Sequence, residues 1–195
     1  MPKSAADPAS RPMRADARRN YDRIVAAAES LVAEHGAEAS LEEIARHAGV
    51  GSATLHRHFP SRQLLLEAVF KGWVDALCAK ARDLLPDPDS GAALVSWLRA
   101  VVAHAVANRG LGASLMQGAR DGDPTLGSTC HAAITSAGDE LLDRARHVNA
   151  VRPDVTITQL LKLVGAIASA TEEDPDGPGE ADRLLDLAID GVRAR

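Results

Sequence analysis

The run Ser52-Ala53-Thr54-Leu55-His56-Arg57-His58 sets hydroxyls, imidazoles and a guanidinium side by side. At about 100° of rotation per residue on a helix, Leu55 and Phe59 fall on one side. Ala53 and Arg57 fall opposite, flanked by Ser52 with His56 and by Thr54 with His58. The outward face is therefore small, hydroxylic or positively chargeable, which suits base edges and phosphate oxygens. An Arg can read guanine or bind phosphate, Ser and Thr serve either role, and Ala leaves room for a thymine methyl. Bond-breaking chemistry finds no comparable set. His56 and His58 point about 200° apart on a helix and cannot share a metal. His104, His131 and His147 stand singly. There is no H-E-x-x-H, no G-x-S-x-G, no phosphate-cradling glycine loop and no Cys/His cluster. Asp87 and Asp89, like Glu172, Glu173, Asp174 and Asp176, lack calcium-loop spacing. The chain is expected to be no enzyme and to carry no metal or cofactor.

Positioning that face is a matter of helices. Apolar residues at Ile24, Val25, Ala28, Leu31 and Val32 predict a helix from Tyr21 that stops at Gly36. Ser40-Leu41-Glu42-Glu43 reads as a capping box that opens a short helix, with Leu41, Ile44, Ala45 and Ala48 inward and Gly49 at its end. A third helix covers about Ser52 to Phe59, and Pro60-Ser61 closes it. Two short helices joined by Ala48-Gly49-Val50-Gly51 form the pattern of a helix-turn-helix, whose second helix would enter a major groove. Many α-bundles contain such a pair without reading DNA, so the pattern alone leaves both readings open. A fourth helix runs from Arg62 towards Leu84, and the stretch from Pro86 to Gly91 breaks it. Five further helices are expected over about Ala92–Ala107, Gly112–Arg120, Pro124–His147, Asp154–Thr171 and Glu180–Arg193. The fold class is all-α, with about nine helices and no good strand.

Charge sharpens the picture. The 195 residues carry a net −5, yet residues 1–71 hold ten Lys/Arg against nine Asp/Glu, while residues 72–195 hold twelve against eighteen. A mildly basic N-terminal part on an acidic body permits nucleic-acid binding at one end. At 46% hydrophobic and 3% aromatic the chain has a globular composition with an aliphatic core. No apolar run in the sequence approaches the roughly 18 residues of a membrane span. Residues 1–20 have no apolar core of a secretory signal, and Cys78 and Cys130 form no redox or metal-ligand spacing. A cytoplasmic protein without a membrane partner is the expectation.

The residues from Ile24 to Leu65 resemble the N-terminal domain of the TetR (tetracycline-repressor-like) family. The resemblance lies in Ile24-Val25-Ala26-Ala27-Ala28, Gly36, Ser40-Leu41-Glu42-Glu43-Ile44-Ala45 and Ala48-Gly49-Val50. It continues through Thr54-Leu55-His56-Arg57-His58-Phe59 and Ser61-Arg62-Gln63-Leu64-Leu65, and covers about a third of the chain. It implies a flexible basic arm at 1–17, a DNA-binding domain at 18–61 and a ligand-binding and dimerisation domain at 62–195. The DNA-facing set it implies is Ser40, Ser52, Ala53, Thr54, His56, Arg57 and His58, with Arg62 holding a phosphate. Two positions depart from the family. His56 stands where a Tyr is usual, which would make affinity pH-dependent, and Arg62 replaces a Lys with a different donor geometry.

The resemblance also implies a small-molecule effector. Trp73, Leu77, Trp97, Val101, His104, Met116, His131 and Thr135 are the candidate lining, each of which could equally be plain core. It implies a homodimer through the last two helices, for which Leu160, Leu161, Val164, Ile167, Leu184, Leu187, Ala188 and Gly191 are candidates. The same apolar stripes could instead close the monomer's core. The function so implied is a repressor that binds a palindromic double-stranded operator and is released by its effector. The alternative is a helical ligand-binding or interaction protein with a vestigial helix-turn-helix.

Overall fold

A computed structural model describes residues 10–108 and 125–193, with side chains for 15–108 and 129–193. Among them are eight α-helices: α1 Ser10–His35, α2 Leu41–His47, α3 Ser52–His58, α4 Arg62–Leu84, α5 Ser90–Ala107, α6 Thr125–His147, α7 Ile157–Ala170 and α8 Gly177–Val192. A short 3-10 turn, Gly36–Glu38, joins α1 to α2. The helix expected at Gly112–Arg120, and with it Met116, lies outside the described residues. No strand occurs among the described residues; an isolated antiparallel bridge pairs Val151 with Arg193.

The chain divides into two compact units, Met1–Val69 and Phe70–Arg195, and α4 is continuous across the division. The boundary lies beyond the expected break at residue 61, because Leu65, Leu66 and Val69 at the start of α4 are buried in the first unit. Its core is otherwise built from Ile24, Ala28, Leu31 and Val32 of α1, Ile44 and Ala45 of α2, Leu55 of α3, and Phe59. The supposed flexible arm is corrected in part, since α1 begins at Ser10. Pro12 is tolerated because a helix's first turn needs no donor there. Exposed pairs Arg19–Asp16 and Arg18–Asp22 run along the extension at helical spacing. It lacks an apolar stripe, so periodicity could not reveal it.

The second unit is built around α5, with α6, α7 and α8 packed on it. Against the expectation that no run in the sequence approaches a membrane span, the 18 residues of α5 are long and apolar enough to cross one by length and composition alone. Here Leu94, Trp97, Leu98, Val101 and Val102 along it are buried in the core. Trp97 has no exposed surface, and its indole N–H donates to the Leu77 carbonyl at 3.0 Å. Gly138 lets α6 come close: a Cβ there would lie 2.7 Å from Trp97 and 2.6 Å from Ile157. Asp89 caps α5 through the Ala92 N–H at 2.9 Å. Helix α7 starts three residues later than expected, because Thr156 and Gln159 form a reciprocal capping box that sets its first turn.

Candidate nucleic-acid interface

Local chemistry accounts for the presentation of α3. The Ser40 hydroxyl accepts the Glu43 N–H at 3.4 Å, which caps α2. Gly49 turns the chain at φ +62°, a region costly for residues with a Cβ. Leu55 and Phe59 are buried, so the opposite face is turned to solvent. Ser40, Ser52, Ala53, His56 and Arg57 are exposed, whereas Thr54 and His58 are half-buried. Arg57 makes no hydrogen bond or ion pair among the described residues, and it sits in the last turn of α3 with His56 and His58. Those basic groups suit the negative end of the helix dipole.

Three side chains hold this arrangement, and none was read from the sequence in that role. Tyr21 stacks on Phe59 with ring centroids 5.0 Å apart and meets His58 edge-on at 6.4 Å. His58 is thus partly a packing residue. Arg23 reaches from α1 to the turn, where its Nη2 donates to the Gly49 carbonyl at 3.2 Å. A Cβ at Gly49 would come within 2.4 Å of that nitrogen. Arg62, expected to hold a phosphate, has its Nη1 donating to the carbonyls of Ala37 at 3.0 Å and Ala39 at 2.5 Å. Arginine contacts to backbone carbonyls have no sequence signature, and Tyr21 enters the sequence reading only as the start of the first helix.

In the second unit the effector candidates separate. Leu77, Trp97 and Val101 belong to the closed core. Trp73 and His104 are half-buried with ring centroids 6.4 Å apart, and His131 is exposed. Burial, aided by the charge of Lys80, holds His104 below the usual histidine range. The Thr135 hydroxyl is buried with no hydrogen-bond partner among the described residues. Burial also raises the thiols of Cys78 and Cys130. A half-open cavity of about 560 Å³ lies elsewhere in the unit, between the start of α5, residues 149–151 and the end of α8. It shares none of the effector candidates.

The dimer candidates are corrected in the same way. Leu160, Val164 and Ile167 are buried within this chain's own core, where α7 packs on α5. Leu161, Leu184 and Ala188 are half-buried at its edge. Leu187, 71% exposed, and Gly191 do face outward, and Leu163, 38% exposed, joins them although it was not a candidate. A helical stripe carries two adjacent faces, and periodicity alone did not say which one the monomer covers.

The family of this chain is decided by two matches that together span both units. Residues 24–69 match the family described as bacterial regulatory proteins, tetR family. Residues 89–194 match the family described as transcriptional regulator SbtR-like, C-terminal domain. The chain belongs to the TetR family of transcriptional regulators. The TetR transcriptional regulator SCO0520 from Streptomyces coelicolor is 37% identical, with 89% of this chain and 98% of that chain covered and a TM-score of 0.71. A TetR regulator from Mycobacterium vanbaalenii is 32% identical, with 94% and 100% covered and a TM-score of 0.69. The HTH-type transcriptional regulator SAR0097 of Staphylococcus aureus (strain MRSA252) is 36% identical over 80 residues, which is 40% of this chain and 41% of that relative. The chain therefore matches less than half of that curated relative's length. The TetR N-terminal match ends at Val69, the residue that closes the first compact unit. Its C-terminal match begins at Asp89, the cap of α5.

Proposed function

We propose that this TetR-family chain is a cytoplasmic repressor that binds a palindromic DNA operator as a homodimer and is released by a small molecule. The observation that carries the reading is the exposed face of α3, with Arg57 unpartnered among the described residues and Leu55 and Phe59 anchoring the opposite side. On this reading Ser52, Ala53, Thr54 and Arg57 approach base edges, and Ser40, His56 and His58 lie near the backbone. The exposed Leu163 and Leu187 supply apolar surface for a second copy, and among the described residues no atom beyond the local helix backbone lies within 4 Å of a Cβ built on Gly165 or Gly191. A two-fold dimer would offer two α3 helices to successive major grooves, which calls for a palindromic site.

The effector would lie beside the half-buried ring pair of Trp73 and His104, with the Thr135 hydroxyl, unpaired among the described residues, as a second candidate contact in the same unit. A small amphipathic molecule suits that mixture. It would act only through its different affinities for the DNA-competent and DNA-incompetent conformations. The test is a fluorescence-anisotropy titration against the intergenic DNA beside the protein's own gene, with an unrelated duplex as control, at several salt concentrations. Tight, salt-dependent binding to the first duplex alone supports a local repressor. Equal weak binding to both, followed by failure to enrich any duplex from a random-sequence library, removes the reading.

A further inference from the structure

We infer that Arg62 is a positioning residue for operator recognition, one that ties together the two ends of the helix-turn-helix instead of contributing a phosphate contact. The inference rests on the DNA-binding reading and assigns one residue a role within it. Arg62 is the first residue of α4, just after the Phe59-Pro60-Ser61 segment that follows α3. Its Nη1 reaches back to the carbonyls of Ala37 and Ala39, at 3.0 and 2.5 Å. Those residues immediately precede Ser40, the cap of α2. One guanidinium nitrogen thus joins the entry of α2 to the exit of α3, and the whole recognition unit lies between its contacts.

Several observations favour this role. Ala37 and Ala39 are buried, so their carbonyls have limited access to water, and removal of a donor there is costly. A cation in the first turn of a helix opposes the dipole, so Arg62 gains from carbonyl partners in a way that a Lys or Arg near a helix C-terminus would not. The start of α4 has a separate cap, in which the Ser61 hydroxyl accepts the Leu64 N–H at 3.2 Å. Arg62 is therefore free of that duty. Arg23 makes a companion contact, from α1 to the Gly49 carbonyl in the turn between the two helices. The pair fixes the turn and the ends of the same unit, and Arg62 is the member that spans the ends.

The experiment compares wild type, Arg62→Met and Arg62→Lys on a duplex enriched by the wild-type protein from a random-sequence library, and on an unrelated duplex. Binding is measured over a range of salt concentrations, at a temperature where circular dichroism shows every protein folded. Met keeps much of the stem and removes the donors and the charge; Lys keeps the charge and loses the planar fork. A positioning role gives Arg62→Met about tenfold weaker specific binding, with non-specific affinity and salt slope unchanged. Arg62→Lys then falls between it and wild type despite its full charge.

A phosphate contact gives a different pattern: both duplexes weaken, the slope falls by about 0.9 per lost contact, and Lys restores wild-type behaviour. That pattern overturns the inference while leaving the DNA-binding reading intact. So does lower thermal stability with unchanged specific binding by the folded variants. If wild type enriches no duplex, the inference falls together with the reading on which it rests.

Discussion

Both units of this regulator have an aliphatic core, and they differ in where their directional polar contacts lie. Around its core the first unit adds directional polar contacts at its turns: the Ser40 cap, the Gly49 turn, and Arg23 and Arg62 bound to backbone carbonyls. The second relies on aliphatic packing around α5, with the Trp97 indole bond to Leu77 among its few buried polar contacts. That unit also leaves slack, in the unsatisfied Thr135 hydroxyl and a cavity of about 560 Å³. The contrast fits the two tasks of the proposed function. A surface that reads DNA must hold its side chains in a fixed register, and hydrogen bonds with narrow geometric tolerance do this well. A unit that changes shape on binding a ligand needs alternative packings of similar energy, which non-directional apolar contacts permit.

The largest expected effect tests the packing side. Trp97→Ala removes a fully buried indole and should destabilise the second unit by about 3–5 kcal/mol. Urea unfolding followed by circular dichroism would show it, and a loss under 1 kcal/mol would mean that the core readily closes over the gap. Next is Arg57→Ala, which touches no packing contact. It should weaken operator binding by about 1–3 kcal/mol while the unfolding midpoint stays put. A shifted midpoint would mean that Arg57 has a structural partner and would blur the division between the units.

Gly49→Ala is smaller and tests the polar side. The φ of +62° and the 2.4 Å approach to Arg23 Nη2 both oppose a Cβ. The expected loss is about 1–2 kcal/mol of stability from the left-handed backbone. Arg23 Nη2, which donates to the Gly49 carbonyl, must shift to admit the Cβ, so DNA selectivity should fall as well. Stability lost with selectivity intact would show that the turn does not orient α3.

The smallest effect is the pH response of His104. Burial lowers its folded-state pKa, so between the folded and unfolded values the unfolded chain binds more protons. Stability is therefore full above the unfolded value of about 6.5 and declines as pH falls below it. Comparison of unfolding midpoints for wild type and His104→Gln between pH 5 and 8 checks the sign. A wild-type profile no steeper than that of the variant would contradict it.

Much of the first unit was legible because its signals are local. Ser40 and Glu43 sit three residues apart, Gly49 marks the turn, and Leu55 and Phe59 define the inner side of α3. Where signals were absent or shared, reading failed. The first turns of α1 have no apolar stripe, so periodicity does not distinguish their helix from an extended arm. In α7, Leu160, Val164 and Ile167 show the same periodicity whether they face the chain's own core or a second copy. The start of α4 looked like part of the ligand domain, because its burial with α1–α3 depends on contacts between residues far apart in the chain.

What the sequence determined by itself is whatever nearest neighbours along the chain decide: helical period, caps, turns, and the side-chain types offered on the open face of α3. These depend on interactions a few residues apart, which residue identity encodes directly. Tertiary structure decided which face of each stripe is covered, where a hydroxyl lacks a partner, and which arginines are occupied. Arg57 and Arg62 carry the same guanidinium, yet only the folded chain brings the carbonyls of Ala37 and Ala39 to Arg62 and leaves Arg57 in solvent. A backbone carbonyl is common to every residue, so no residue type announces which one will accept. Its availability is set by where the chain turns and what is buried around it.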